Sequence, residues 1–199
     1  MTDLHIYAQR EGYRDTEWER DGKAYGWGNN RGLVLMKSFD LIHWTRTNIR
    51  FDQMSKEFAQ IGCAWAPEIV YDPATGRMMI YFTMRFGNEQ NRLYYVYVNQ
   101  DFNRIESIPQ ILFEYPSGAS AIDGDITPIW NEERQKMEYH LFYVAHESGS
   151  GIKQAVSDRI DGSYRFDPRW IDFEPVACEA PNVWKRIGEN KWVLMYDIF

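Results

Sequence analysis

The sequence predicts an all-β fold, a β-propeller built from four-stranded antiparallel blades, on three observations. Apolar residues come in short runs separated by turn residues, and no stretch keeps the three-and-four spacing of an amphipathic helix. A strand-opening motif recurs as Trp65-Ala66-Pro67-Glu68, Asp123-Gly124-Asp125-Ile126 and Glu179-Ala180-Pro181-Asn182. By subtraction of residue numbers, 58 positions separate Trp65 from Asp123 and 56 separate Asp123 from Glu179. A repeat of roughly 57 residues with four strands suits a propeller blade, somewhat longer than common ones. The competing all-β reading is a β-sandwich with accidental spacing. The recurrence of strand order together with turn type speaks against it.

The elements follow in order. Leu4-His5-Ile6-Tyr7-Ala8 is a short strand-like run, and residues 9–31 form a long polar stretch with Trp18, Tyr25 and Trp27. Loops of that length are often functional. Leu33–Lys37 is a strand, Ser38-Phe39-Asp40 a turn, and Trp44 opens the next strand or packs under it. The second repeat has strands at Ile69–Tyr71, Met78–Thr83, Leu93–Val98 and Ile111–Phe113, with turns at Asp72–Gly76 and Asn99–Phe102. The third has Ile126–Trp130, Tyr139–Val144 and Ile152–Val156, followed by the stretch to Tyr164. The fourth begins at Glu179 and reaches a second strand, Trp192–Ile198. The chain divides on this reading into residues 1–60 (part of blade one and a connection), 61–118 (blade two), 119–175 (blade three) and 176–199 (part of blade four).

Composition narrows the chemistry. The formal net charge is -7 and no Lys/Arg block stands out, which argues against nucleic acid and anionic membrane as partners. No apolar run reaches the roughly 18 residues of a membrane helix. Two cysteines, Cys63 and Cys178, exclude a disulfide framework and a Cys-rich zinc site, and read as small buried thiols that the repeat could bring near each other. The four histidines show no metal-ligand spacing, so no cofactor is expected, with a structural calcium left open. The aromatic share of 16% suits β structure and sugar-binding surfaces alike.

Proline cannot donate to a sheet ladder, so the Ala-Pro steps belong at strand starts or edges. In a propeller the innermost strands line a central channel, and equivalent positions converge at its mouth. Trp65, Asp123 and Glu179 are taken as such equivalents. One aromatic ring and two carboxylates gathered there suit a sugar, the ring stacking on its apolar face and the carboxylates working at the glycosidic bond. Asp125 competes with Asp123, because two-residue periodicity places both on one side of a strand. Trp18, Trp27, Arg85 and His146 are further candidates for facing the site.

At these residues the sequence resembles glycoside hydrolase family 43, the five-bladed β-propellers of arabinosidases and xylosidases. Trp65-Ala66-Pro67-Glu68 is similar to the family's second-blade signature, and Ile122-Asp123-Gly124-Asp125-Ile126 to its third. Glu179-Ala180-Pro181 is similar to its fourth-blade Glu-Gly-Pro, with Ala for Gly, and Ser38–Trp44 to the Ser-x-Asp-Leu-x-x-Trp that ends blade one. The resemblance implies that Glu179 is the general acid of an inverting mechanism and that Asp123 tunes and orients it, with Trp65 in substrate binding. The family's base is an Asp in an Asp-Pro step on the innermost strand of blade one. The steps present here, Asp72-Pro73 and Asp167-Pro168, lie outside the strand-start motifs, and Asp3 stands too near the start of the chain to lead a full strand. The expectation is therefore an incomplete propeller, lacking the first innermost strand and the last blade, with its base upstream of Met1 and poor hydrolysis by the 199 residues alone. The substrate would be an oligo- or polysaccharide containing arabinose or xylose. The alternatives are a non-catalytic carbohydrate-binding propeller, a related β-fructosidase, and a protein-interaction propeller. Fructosidases usually carry their acid in a Glu-Cys order, the reverse of Cys178-Glu179.

Overall fold

Alternation of side chains along three strands accounts for most of the packing. The computed structural model describes residues 1–3, 19–20, 23–24, 27–28, 30–145, 147, 151–169 and 177–198. The run at 4–8, Trp18 and His146 lie outside these. The strands are β1 (Thr2–Asp3), β2 (Glu19–Arg20), β3 (Lys23–Ala24), β4 (Gly32–Ser38), β5 (Trp44–Arg50), β6 (Ile61–Asp72), β7 (Arg77–Phe86) and β8 (Arg92–Val98). They continue with β9 (Gln110–Phe113), β10 (Ala121–Asn131), β11 (Lys136–Ala145), β12 (Ile152–Ser157), β13 (Arg165–Asp167), β14 (Cys178–Lys185) and β15 (Trp192–Ile198). Every pairing between them is antiparallel. Among the described residues helix is confined to two 3-10 turns, Phe51–Gln53 and Glu57–Gln60.

The sheets have orders β1-β4-β5, β6-β7-β8-β9, β10-β11-β12-β13 and β14-β15, with β2-β3 a separate hairpin. In each of the four the strand earliest in the chain lies at one edge. β1 holds that edge of the first sheet, and Asp3 lies in it, opposite Leu33 of β4.

The sheets pack face to face in chain order because their middle strands are apolar on both sides. Successive strand residues point to opposite faces. Ile80, Phe82 and Met84 of β7, with Tyr94, Val96 and Val98 of β8, join Leu33, Leu35 and Phe51 in one cluster. The alternate residues Met79, Tyr81, Leu93, Tyr95 and Tyr97 join Tyr139, Leu141 and Tyr143 of β11 in the next. The other face of β11, Phe142 and Val144, meets Ile122, Ile152 and Cys178 in a third. Complete burial of a side chain such as Phe82 or Ile80 is worth roughly 1.5–3 kcal/mol. This two-faced burial is why the strands read as near-continuous apolar runs. Neither cysteine is in a disulfide and both are buried, Cys178 in the third cluster and Cys63 with its thiol 3.5 Å from Asn91 Oδ1.

Turn chemistry sets the register. Between β6 and β7, Asp72 accepts from Ala74 N at 2.9 Å, Thr75 Oγ1 at 2.7 Å and Tyr97 Oη at 2.6 Å, and Gly76 adopts φ +69°. Between β4 and β5, Ser38 Oγ accepts from Leu41 N and Asp40 Oδ1 accepts from Ile42 N and His43 N. That turn leaves Phe39, Leu41 and Ile42 exposed.

Burial pulls the Asp72 carboxyl upward, but the bonds from Tyr97, Thr75 and Ala74 outweigh it and hold it below the ordinary aspartate value. Tyr97→Phe should therefore cost about 2 kcal/mol at neutral pH, the range of a hydrogen bond to a charged group. A lowered pKa stabilises above the unfolded value and loses that contribution as pH falls. The loss should appear in urea denaturation as a lower midpoint at unchanged slope, and should shrink on acidification.

Candidate active site

The first strands of three consecutive sheets, β6, β10 and β14, each carry one extra residue at the same place. In β6, Trp65 pairs with Thr83 and Glu68 with Tyr81, so Ala66 and Pro67 together oppose Phe82. In β10, Asp123 and Gly124 oppose Tyr143, and in β14, Ala180 and Pro181 oppose Tyr196. The first residue of each bulge lies in the left-handed region, at φ 45° for Ala66, 55° for Asp123 and 54° for Ala180. The Ala-Pro steps thus sit inside strands, not at their starts: four residues of β6 precede Trp65. A bulge leaves one residue outside the ladder, so proline's missing N–H costs nothing there.

The bulges correct the alignment of the repeats. Ala66, Asp123 and Ala180 are equivalent, at spacings of 57 and 57 by subtraction. Trp65, Ile122 and Glu179 form the preceding level, and Glu68, Asp125 and Asn182 the level beyond. The sequence alignment of Trp65, Asp123 and Glu179 was one residue out of step, because chemical similarity between carboxylates was matched in place of backbone register. The two-residue argument pairing Asp123 with Asp125 fails for the same reason, since the bulge lies between Ile122 and Asp125.

Hydrogen bonds lace the inner strands across the sheets. Ala180 N donates to Asp123 Oδ2 at 3.1 Å, which ties the Asp123 carboxylate to the residue after Glu179. Val183 N donates to Asp125 Oδ2 at 2.9 Å, Asn182 Nδ2 to Asp125 Oδ1 at 3.4 Å and Thr127 Oγ1 to Asp125 Oδ2 at 3.2 Å. On the other side Asp123 N donates to Thr83 Oγ1 at 3.1 Å and Ile126 N to Tyr81 Oη at 2.9 Å. A cleft of about 200 Å³ opens where the levels meet, walled by Ala66, Glu68, Asp123, Gly124 and the Ala180–Asn182 run. Gly124 lets the strand approach closely, since a Cβ there would stand 2.9 Å from Leu93 Cδ1.

Asp123 thus lines the cleft, whereas Glu179, half-buried, immediately precedes the Ala180–Asn182 run of its wall and is not itself among the lining residues. Trp65 does not line the cleft. Its Nε1 donates to Trp27 O at 2.9 Å, its ring meets Trp27 edge-on at 6.4 Å, and the Arg85 guanidinium lies 5.2 Å from its centre. Arg85 is tied to Gly87 O and Asn91 Oδ1 beside it. Beneath, the fully buried Asn30 donates to Ala64 O.

Burial raises the Asp125 carboxyl above the ordinary value, against the bonds from Val183 N and Thr127. Burial and the Asp125 charge raise Glu68, with the N-terminal ammonium and Ile69 N opposing. By surface area Glu68 is exposed, and the upward pull on its carboxyl comes from the part of the side chain set among the strands and from the Asp125 charge. Buried Tyr81 is held protonated by burial and by the Asp125 and Glu68 charges. Sequence reasoning gave no role to Glu68, Thr83 or Asn182; the constant 57-residue step, applied to backbone instead of residue type, is the signal that finds Glu68 and Asn182. Among the described residues, no group of three or more His, Cys, Asp or Glu side chains is placed to hold a metal, and no helix is long and apolar enough to cross a membrane.

A family model described as a probable glycosyl hydrolase domain, related to glycosyl hydrolase family 43, matches residues 1–199. No curated protein matches the sequence. Solved structures that share the fold include the endo-arabinase from Bacteroides thetaiotaomicron VPI-5482, at TM-score 0.52 and 13% identity over 92% of this chain and 73% of that one. A thermostable family-43 glycoside hydrolase gives 0.50 and 13% over 85% and 66%. An exo-1,5-alpha-L-arabinanase from a bovine ruminal metagenomic library gives 0.50 and 17% over 89% and 65%. The chain therefore spans about two thirds of the length of these structures, and at such identities the likeness is one of fold.

Two outcomes follow from the bulges and charges. An alanine in the left-handed region costs about 1–2 kcal/mol, and glycine returns part of that through unfolded-state entropy. Ala180→Gly should leave stability unchanged or raise it by up to about 1 kcal/mol, whereas a β-branched residue there should lower the melting temperature. For Glu68 the folded pKa is raised, so the carboxyl costs nothing below its unfolded value, and stability is lost as pH rises through the folded one. Glu68→Gln should match the parent chain's melting temperature near pH 3 and exceed it increasingly toward pH 7.

Proposed function

The chain belongs to the family of glycosyl hydrolase domains related to glycosyl hydrolase family 43, and on that premise we propose that it is a glycosidase domain acting on arabinose- or xylose-containing glycans. The sheets are read as successive blades of a five-bladed propeller, with β1, β6, β10 and β14 as inner strands around its channel. The observation that carries the reading is the bond from Ala180 N to Asp123 Oδ2, which joins the Asp123 carboxylate at the cleft to the residue that follows Glu179 in the next sheet. The arabinanases among the structural neighbours support the substrate class.

In this reading Glu179 is the general acid. Its proton passes to the glycosidic oxygen as the bond to the anomeric carbon breaks. Asp123 acts on it by gripping the following peptide, which limits the directions in which the Glu179 side chain can leave the strand. Inversion requires a second carboxylate about 6.5–9.5 Å from the acid, on the opposite face of the sugar, to activate water. We assign no residue of this chain to that base. No cofactor enters the scheme.

The test is hydrolysis of paired aryl arabinofuranosides and xylopyranosides by this chain and by a longer chain carrying five blades. The five-bladed form should turn over one of the pair, and Glu179→Gln should lower its rate by about 10²–10⁴ on the corresponding oligosaccharide, whose leaving group is unactivated, and by less on the aryl glycoside. Absence of hydrolysis in both forms, with sugar binding retained, would move the protein to the class of carbohydrate-binding propellers.

A further inference from the structure

We infer that Glu68 is a substrate-binding residue of the cleft, whose carboxylate accepts hydrogen bonds from the hydroxyls of a neutral sugar ring and sets affinity and specificity. This rests on the glycosidase reading above and adds to it a residue to which neither acid nor base chemistry is assigned.

The register carries the first part of the argument. Glu68, Asp125 and Asn182 stand at one level of three consecutive inner strands. The second and third satisfy each other. Both Asp125 oxygens are engaged, by Asn182 Nδ2, Val183 N and Thr127 Oγ1, and Asp125 is 7% exposed. Glu68 stands at the same level but on the cleft wall, with Asp123. Among the described residues it accepts only from the backbone N–H of its neighbour Ile69, and no Lys, Arg or His side chain forms an ion pair with it. An ionised carboxylate is acceptor-only, with about four lone-pair sites. Glu68 lines the opening, and most of that capacity is left unengaged among the described residues.

The chemistry of the opening selects the ligand. The titratable side chains on its wall, Glu68 and Asp123, are both acids. A uronic acid or phosphorylated sugar would meet like charge there, whereas a neutral polyol supplies donors. Adjacent hydroxyls of a sugar ring match the paired oxygens of one carboxylate, and such charge-assisted bonds are the stronger kind. A volume of about 200 Å³ is below the usual range for drug-sized ligands and fits a single ring. Burial and the Asp125 charge leave Glu68 short of stabilising partners for its ionised form. A hydroxyl donor restores what burial removed, so binding should strengthen as pH rises through the Glu68 pKa.

The measurement is calorimetric titration of the 199-residue chain with arabinotriose, xylotriose and a uronic-acid-bearing trisaccharide across pH 4 to 7. The parent chain should bind one of the neutral sugars, more tightly at higher pH, and reject the acidic one. Glu68→Ala should weaken the neutral sugar about tenfold or more, and Glu68→Gln less so while flattening the pH dependence. A thermal melt of each variant reports folding, and a merely structural Glu68 would change the melt without altering the pH profile of affinity. Unchanged affinity in both Glu68 variants, with loss in Asp123→Ala, would overturn the assignment and leave the glycosidase reading standing. Absence of sugar binding by the 199-residue chain and by the five-bladed chain alike would defeat that reading and the Glu68 assignment with it.

Discussion

The bulge shared by β6, β10 and β14 is the constraint on which the rest depends. A strand alternates its side chains strictly, so one inserted residue changes the direction of everything beyond it. Here the insertion falls at Ala66, Asp123 and Ala180, with a left-handed φ at all three. It turns Asp123 toward the cleft while Ile122, one residue earlier, stays in the third core cluster. It also gives Pro67 and Pro181 positions inside strands that would otherwise reject them. The polar side chain of Asp123 suits a left-handed backbone better than alanine does. The same residue therefore meets a backbone requirement and presents a carboxylate.

Around that constraint the packing is simple. β7, β8 and β11 are apolar on both faces, so each of the two four-stranded sheets shares one core with the sheet before it and another with the sheet after. Tyrosines fill much of the second cluster, and the hydroxyls of several find specific partners. Tyr81 Oη accepts from Ile126 N, Tyr97 Oη donates to Asp72, and Tyr95 Oη donates to Gln110 Oε1. These bonds couple turns and inner strands to the sheets behind them, which ties the cleft wall to the most deeply buried part of the molecule. Positioning of Asp123 and Asp125 thus depends on Thr83 and Tyr81 of the preceding sheet as well as on β14 of the following one.

The electrostatics of the cleft are one-sided. Glu68 and Asp125 are pushed upward by burial, and Glu68 further by the Asp125 charge. The strong surface pairs, such as Arg159 with Asp161 and Arg134 with Asp158, lie on turns elsewhere. Carboxylates held together at one cleft repel anionic ligands. That arrangement suits acid chemistry on a neutral polyol and is the physical ground common to the proposed roles of Glu179, Asp123 and Glu68.

Much of this was legible in the sequence, because strand formation here depends on local composition. The runs Met78–Thr83, Leu93–Val98 and Tyr139–Val144 are apolar, aromatic or β-branched and bounded by Asp, Asn, Gly and Pro turns, so they mark the strands without tertiary information. The recurrence of Ala-Pro and Asp-Gly steps marked the repeat and the region of the site. Register was not legible. Residue types placed Trp65, Asp123 and Glu179 at one level, whereas backbone pairing makes Ala66, Asp123 and Ala180 equivalent. Nor could the sequence separate Asp123, at the opening, from Asp125, two residues on and buried under three donors. A bulge is a property of two strands and has no composition of its own. It exists only once the partner strand is in place, and so only the tertiary structure decided which carboxylates face the cleft.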